Sequence, residues 1–83
     1  METVIRIHSG TPEEMMQELY EQDVHVSATI GYGHNGPIVH SVTVWVDPIE
    51  QFTFHGPSSI EHGLQETLVR LCTKRPGLKV SWV

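Results

Sequence analysis

The sequence predicts an α+β fold, a two-layer sandwich. A single, mostly antiparallel β-sheet of four or five strands carries two helices on one face, in the order β-α-β-β-(β)-α-β. Three observations predict it. Val24 to Asp47, VHVSATIGYGHNGPIVHSVTVWVD, alternates apolar and polar residues on both sides of a turn rich in Gly, Asn and Pro. The stretches after Thr11 and after Ser58 carry apolar residues at helical spacing behind capping residues. Both ends of the chain, Thr3–His8 and Leu78–Val83, alternate again. Strands with one apolar face and helices with one apolar stripe must cover each other.

In the first strand Ile5 and Ile7 point one way, and Val4, Arg6 and His8 the other. Ser9-Gly10 ends it. Thr11-Pro12-Glu13-Glu14 starts a helix, with Thr at the cap, Pro first, acids in the first turn and Glu three residues after Thr. Met15, Met16, Leu19 and Tyr20 form its apolar stripe, Glu14, Glu18 and Glu21 its solvated face. It ends near Gln22-Asp23.

The hairpin follows. Val24, Val26, Ala28, Ile30 and Tyr32 share the apolar face with Ile38, His40, Val42, Val44 and Val46. Pro37 lacks the N–H that a two-residue Asn35-Gly36 turn requires, so a three-residue loop, His34-Asn35-Gly36, is expected with Gly36 left-handed. The pairs are then Val26–Val44, Ala28–Val42, Ile30–His40, His25–Trp45 and Ser27–Thr43. Asp47-Pro48-Ile49-Glu50 is a turn. Phe52-Thr53-Phe54 is a short strand that, folded back, sets Phe52 against Val46 and Phe54 against Val44.

Gly56-Pro57-Ser58 breaks the chain. The second helix starts at Ser58 or Ser59, with Ser58 and Glu61 as a capping box. Ile60, Leu64, Leu68, Leu71 and Cys72 share a face, with Gly63 and Thr67 where packing is close. Pro76-Gly77 stops it. Leu78, Val80 and Trp82 alternate with Lys79, Ser81 and Val83 in the last strand. Two topologies fit. A ferredoxin-like sheet puts the first and last strands beside the hairpin's second arm. A three-strand meander gives that place to Phe52–Phe54, and the first strand pairs elsewhere.

The 83 residues, 1–83, make one domain. The formal charge of −5 opposes phosphate binding, which needs clustered Lys or Arg. Six histidines predict a change in solubility or self-association between about pH 5 and 7. A single cysteine, no membrane-length apolar run and no signal-peptide pattern point to the cytoplasm, that of a host cell if the protein is phage-encoded.

His8, His25, His34, His40, His55 and His62 lack metal-ligand spacing and read as surface or packing residues, His40 as partly buried near the hairpin tip. Cys72 reads as an inert core thiol, Ser58 and Ser59 as caps, Met15 and Met16 as core filler. No catalytic residue, cofactor or metal is expected. The feature left is the open sheet face: His25, Ser27, Thr29, Ser41, Thr43 and Trp45, with Val39 toward the tip. A Trp among hydroxyls suits a protein partner. It also suits base stacking in a nucleic-acid-binding module, or simple packing of Trp45 on His25. A third reading is a subunit whose site another chain completes. The apolar edge Leu78–Val83, or the open face, is a surface for homodimerisation.

The run helix–three strands–helix, with GPIVH at Gly36–His40 and Gly56-Pro57-Ser58-Ser59 before the second helix, resembles double-stranded-RNA-binding domains over Glu13 to Thr73. Those domains carry a G-P-x-H loop and lysines at the second helix start. Here one extra residue separates Pro37 from His40, and Ser59, Ile60, Glu61 and His62 replace the lysines. In type, though in no residue motif, the chain is also similar to phage and mobile-element proteins that inhibit host machinery, anti-CRISPR proteins among them. That likeness implies that Glu14, Glu18 and Glu21 face a basic nucleic-acid channel. The expectation is a small, acidic, non-enzymatic protein that acts by binding another protein.

Overall fold

A computed structural model describes residues 2–83. The elements are β1 (Thr3–Ile7), α1 (Pro12–Glu21), β2 (His25–Gly33), β3 (Gly36–Trp45), β4 (Gln51–Ser58), α2 (Ile60–Lys74) and β5 (Leu78–Trp82). The α+β class and element order are as expected. The single sheet is not. The strands β2-β3-β4 form an antiparallel meander, while β1 and β5 pair with each other, in parallel, as a separate two-stranded sheet. Of the two topologies the meander is the one found, with β4, eight residues long rather than three, beside β3. This strand hydrogen-bonds along the side of β3 that a ferredoxin-like sheet needs for a terminal strand, so the termini find each other.

In the hairpin, His25–Trp45, Val26–Val44, Ser27–Thr43 and Ala28–Val42 pair as expected. Ile30 does not meet His40. The register shifts after Thr29–Ser41, so Ile30 lies opposite Val39, and His40 is the extra residue of a β-bulge. The bulge reverses the alternation. Val39 turns into the core, 3% exposed, while His40 is exposed instead of partly buried. Its ring lies over Gly31, where an added Cβ would come 2.6 Å from His40 Nε2.

Across the sheet β4 shifts register at the same level, passing from Ser41–His55 to Val39–Ser58. At the tip Gly33 pairs with Gly36, leaving His34-Asn35 as the turn, one residue shorter than expected. Gly36 is left-handed at φ +108°. The residue missing from the loop reappears as the bulge. Phe52 pairs with Val44 and Phe54 with Val42, two positions further along than expected but on the same face, because Val46 stays outside the ladder.

Both capping-box bonds of α1 form: Thr11 Oγ1 accepts from Glu14 N at 3.2 Å, and Glu14 Oε1 accepts from Thr11 N at 3.1 Å. At the other end Val24 N donates to Leu19 O at 2.9 Å and Asp23 N to Tyr20 O at 3.0 Å. Asp23, at φ 65°, takes the left-handed position that glycine usually fills in this motif. Ser59, not Ser58, caps α2, its Oγ accepting from His62 N at 3.1 Å. Ser58 stays in β4, so the box with Glu61 does not form.

Helix α1 packs on β1 and β2, and α2 on β3, β4 and β5. Val42 and Val44 of the meander, Leu64 and Leu71 of α2, Leu19 of α1 and Ile7 of β1 are all fully buried in one core. Gly63 lets α2 sit directly on β3, since a Cβ there would lie 2.6 Å from Val42 Cγ2. Thr67, also fully buried, donates its hydroxyl to Gly63 O at 2.8 Å. Among the described residues no helix is long and apolar enough to cross a membrane.

Candidate functional site

The helices cover the even-numbered side of the lower hairpin, so its odd-numbered side chains face outward. Register aligns them into rows across three strands: His25–Trp45–Gln51, Ser27–Thr43–Thr53 and Thr29–Ser41–His55. The resulting three-by-three array carries no Asp, Glu, Lys or Arg. In its middle row the hydroxyls of Thr43 and Thr53 bond to each other at 2.9 Å. At one corner His25 stacks on Trp45, with ring centroids 5.5 Å apart and planes 13° apart. Tyr20 of α1, 61% exposed, meets the edge of His25 at 5.7 Å. An aromatic run thus leads from the end of α1 onto the open face.

The sheet therefore brings together His25, Ser27, Thr29, Ser41, Thr43 and Trp45, and leaves out Val39, which the bulge turns inward. It adds Gln51, Thr53 and His55, which sequence reasoning missed. The signal was there: Gln51 to His55 alternates with period two, continuing the pattern beyond Phe52–Phe54.

Glu14, Glu18 and Glu21 lie apart from this array, on α1. Each is engaged within the chain. The capping bonds to Thr11, the backbone one first, hold the Glu14 carboxyl below the ordinary carboxylate range. His8 does the same for Glu18, through its ring, whose Nδ1 lies 2.8 Å from Glu18 Oε2, and through its backbone N–H. Glu21 accepts from Gln17 Nε2 at 3.2 Å. Cys72 is half-buried, and burial pushes its thiol up, against a smaller opposing pull from Lys79. Among the described residues no group of three His, Cys, Asp or Glu could hold a metal ion.

Away from the array a groove of about 560 Å³ runs between α2 and β5, lined by Val69, Cys72, Leu78, Val80 and Trp82 among others. The other sheet edges near the helices are better covered. Gln22 accepts from Arg6 N at 2.9 Å and donates to Arg6 O at 2.7 Å, mimicking a neighbouring strand along β1. Arg70 of α2 donates to Thr53 O of β4 at 2.7 Å.

No family model, curated protein or solved structure matches the chain. The fold and its surfaces define a small α+β domain with an uncharged, open sheet face.

Proposed function

We propose that the chain is a non-enzymatic binding module whose open sheet face docks on a protein partner. The observation that carries this reading is the absence of charge from all three rows of the array, in a chain with fifteen Asp, Glu, Lys and Arg residues (ten acidic, five basic). Burying hydroxyls that can re-pair costs far less than burying ions. Protein interfaces are correspondingly poor in charge at their centre and rich in aromatic anchors. Trp45, stacked on His25, which in turn meets Tyr20, supplies such an anchor at the rim of the array.

The array has no cation to displace counterions from a phosphate backbone, so the nucleic-acid reading lacks its main source of affinity. The likeness in layout to double-stranded-RNA-binding domains supports a binding role, but without lysines at the start of α2 it supports no grip on phosphate. Inhibition of host machinery through Glu14, Glu18 and Glu21 finds less support than the open face, because those carboxylates are bonded within the chain.

The test is capture of a defined partner, first identified with the wild-type chain in its native host. Thr43→Arg and Trp45→Ala, each with an unchanged circular dichroism spectrum, are expected to weaken capture of that partner by about tenfold or more. Glu21→Gln is expected to leave it intact. Undiminished capture by both open-face variants contradicts the proposal. Salt-sensitive binding of an oligonucleotide in a low-salt gel shift would favour the nucleic-acid reading instead.

A further inference from the structure

The β1–β5 sheet has one edge partly engaged by side chains and one open edge, and the open edge can pair with its own copy. Thr3 N donates to Gly77 O at 2.7 Å, and Val83 N to Ile7 O at 2.8 Å. Backbone groups alternate along a strand, so odd-numbered residues of β5 bond to β1, and Leu78, Val80 and Trp82 turn their N–H and C=O groups outward. Leu78 N is already satisfied, donating to Arg75 O at 2.9 Å. The donors left are Val80 and Trp82; the acceptors include Leu78 and Val80. On β1 two of the outward residues are engaged from the α1 side, Arg6 by the C-cap Gln22 and the His8 N–H by Glu18.

We infer that β5 pairs antiparallel with β5 of a second copy of this chain, about a two-fold axis at Val80. Val80 N then donates to Val80 O of the partner, and Trp82 N to the partner's Leu78 O, each bond being made twice. Leu78 N, already bonded to Arg75 O, makes no bond across the axis, so the partner's Trp82 O is left to water. Lys79 lies across from Ser81, so no like charges oppose each other. The result is a four-stranded sheet, β1-β5-β5-β1, closed by the two-fold axis, with Gln22 and Glu18 bonded along each outer edge. Such closure is what symmetric dimers require, and it relieves a two-stranded parallel sheet that is otherwise incomplete.

The groove beside β5 agrees. The incoming strand carries its Trp82 to Leu78, next to Val69 of α2. Val69 is an apolar residue left 65% exposed, and Trp82 is 36% exposed. Because the two helices lie on the same face of the joined sheet, the axis brings Val69 toward its own copy. None of these residues belongs to the open meander face, so this dimer neither needs nor blocks the docking proposed above.

The test has two arms. Sedimentation velocity on the wild-type chain is expected to show dimer by about 200 μM, as a small interface implies, and Val80→Pro, which removes a central donor, to remain monomeric. In a Cys72→Ser background, Lys79→Cys and Ser81→Cys chains are mixed and oxidised with oxidised glutathione. Across a non-hydrogen-bonded pair the two Cα atoms lie about 4.5 Å apart, within disulfide range, whereas like positions lie diagonally beyond it. The mixture is therefore expected to cross-link at least about tenfold faster than either chain alone. A monomer throughout the concentration series, a dimer that survives in folded Val80→Pro, or equal cross-linking in the mixed and single samples overturns the inference. Should Val80→Pro fail to fold, the cross-linking arm decides.

Discussion

Gly63→Ala reports on how closely α2 sits on the meander. In an isolated helix the change should stabilise, because alanine is the better helix former by about 1 kcal/mol. Here the new methyl would stand 2.6 Å from Val42 Cγ2 and 3.3 Å from Val42 Cβ. Neither atom can swing away. Val42 is β-branched, fully buried, and held in the central strand of the meander. Overpacking of this kind costs about 1–3 kcal/mol, so the net expectation is a loss of about 1 kcal/mol, with a range from near zero to 2.

The diagnostic is the double-mutant cycle. Val42→Ala alone leaves a cavity and destabilises. In that background the 2.6 Å clash is gone and only the 3.3 Å approach to the Cβ of residue 42 remains, so the helix-forming advantage of the Gly63→Ala methyl should emerge as a gain. Urea denaturation of the four chains measures the coupling, expected at about 1–2 kcal/mol. Additive effects, or a simple gain from Gly63→Ala in the wild-type chain, would refute the close seating of α2 on β3.

Other sites give independent checks. Asp23→Gly, at φ 65°, should stabilise by about 0.5–1 kcal/mol in thermal unfolding, whereas Asp23→Val should destabilise. Gln22→Ala removes both side-chain bonds to Arg6 of β1 and should cost about 1–2 kcal/mol while speeding amide exchange at Arg6. Glu14 and Glu18 have folded pKa values below the ordinary 4.5, so they bind fewer protons folded than unfolded. Their contribution is present above about pH 4.5 and is lost as pH falls through the folded values. Stability measured from pH 6 to 3 (an acid titration, on the order of three pH units) should fall less steeply in Glu18→Gln.

What was legible in the sequence is what depends on local pattern. Parity along Val24–Thr29 and Ser41–Trp45 does not depend on which strand lies alongside, so six of the array residues could be named without topology. The Thr11 cap, the Asp47-Pro48 turn, where Glu50 N donates to Asp47 O at 2.9 Å, and the close packing at Gly63 are equally local. The bulge at His40 is not. It depends on Gly31 in one neighbour making room for the ring and on β4 shifting at the same level in the other. The division into two sheets was hidden for a related reason. The alternation in β1 and β5 suits a central sheet or a separate ribbon equally well, and the choice rests on β4 taking the free side of β3. Reading β4 as only Phe52–Phe54 also concealed Gln51 and His55, while Thr53 lay within that strand and was not assigned to the open face.

Photo-cross-linking from single positions tests the docking face most directly. A benzoylphenylalanine residue at Ser27 or at Thr53 should each join the chain to the same protein partner, and the same group at Glu13, on the exposed side of α1, should not. Cross-linking confined to Glu13, with none from the sheet, would contradict the account.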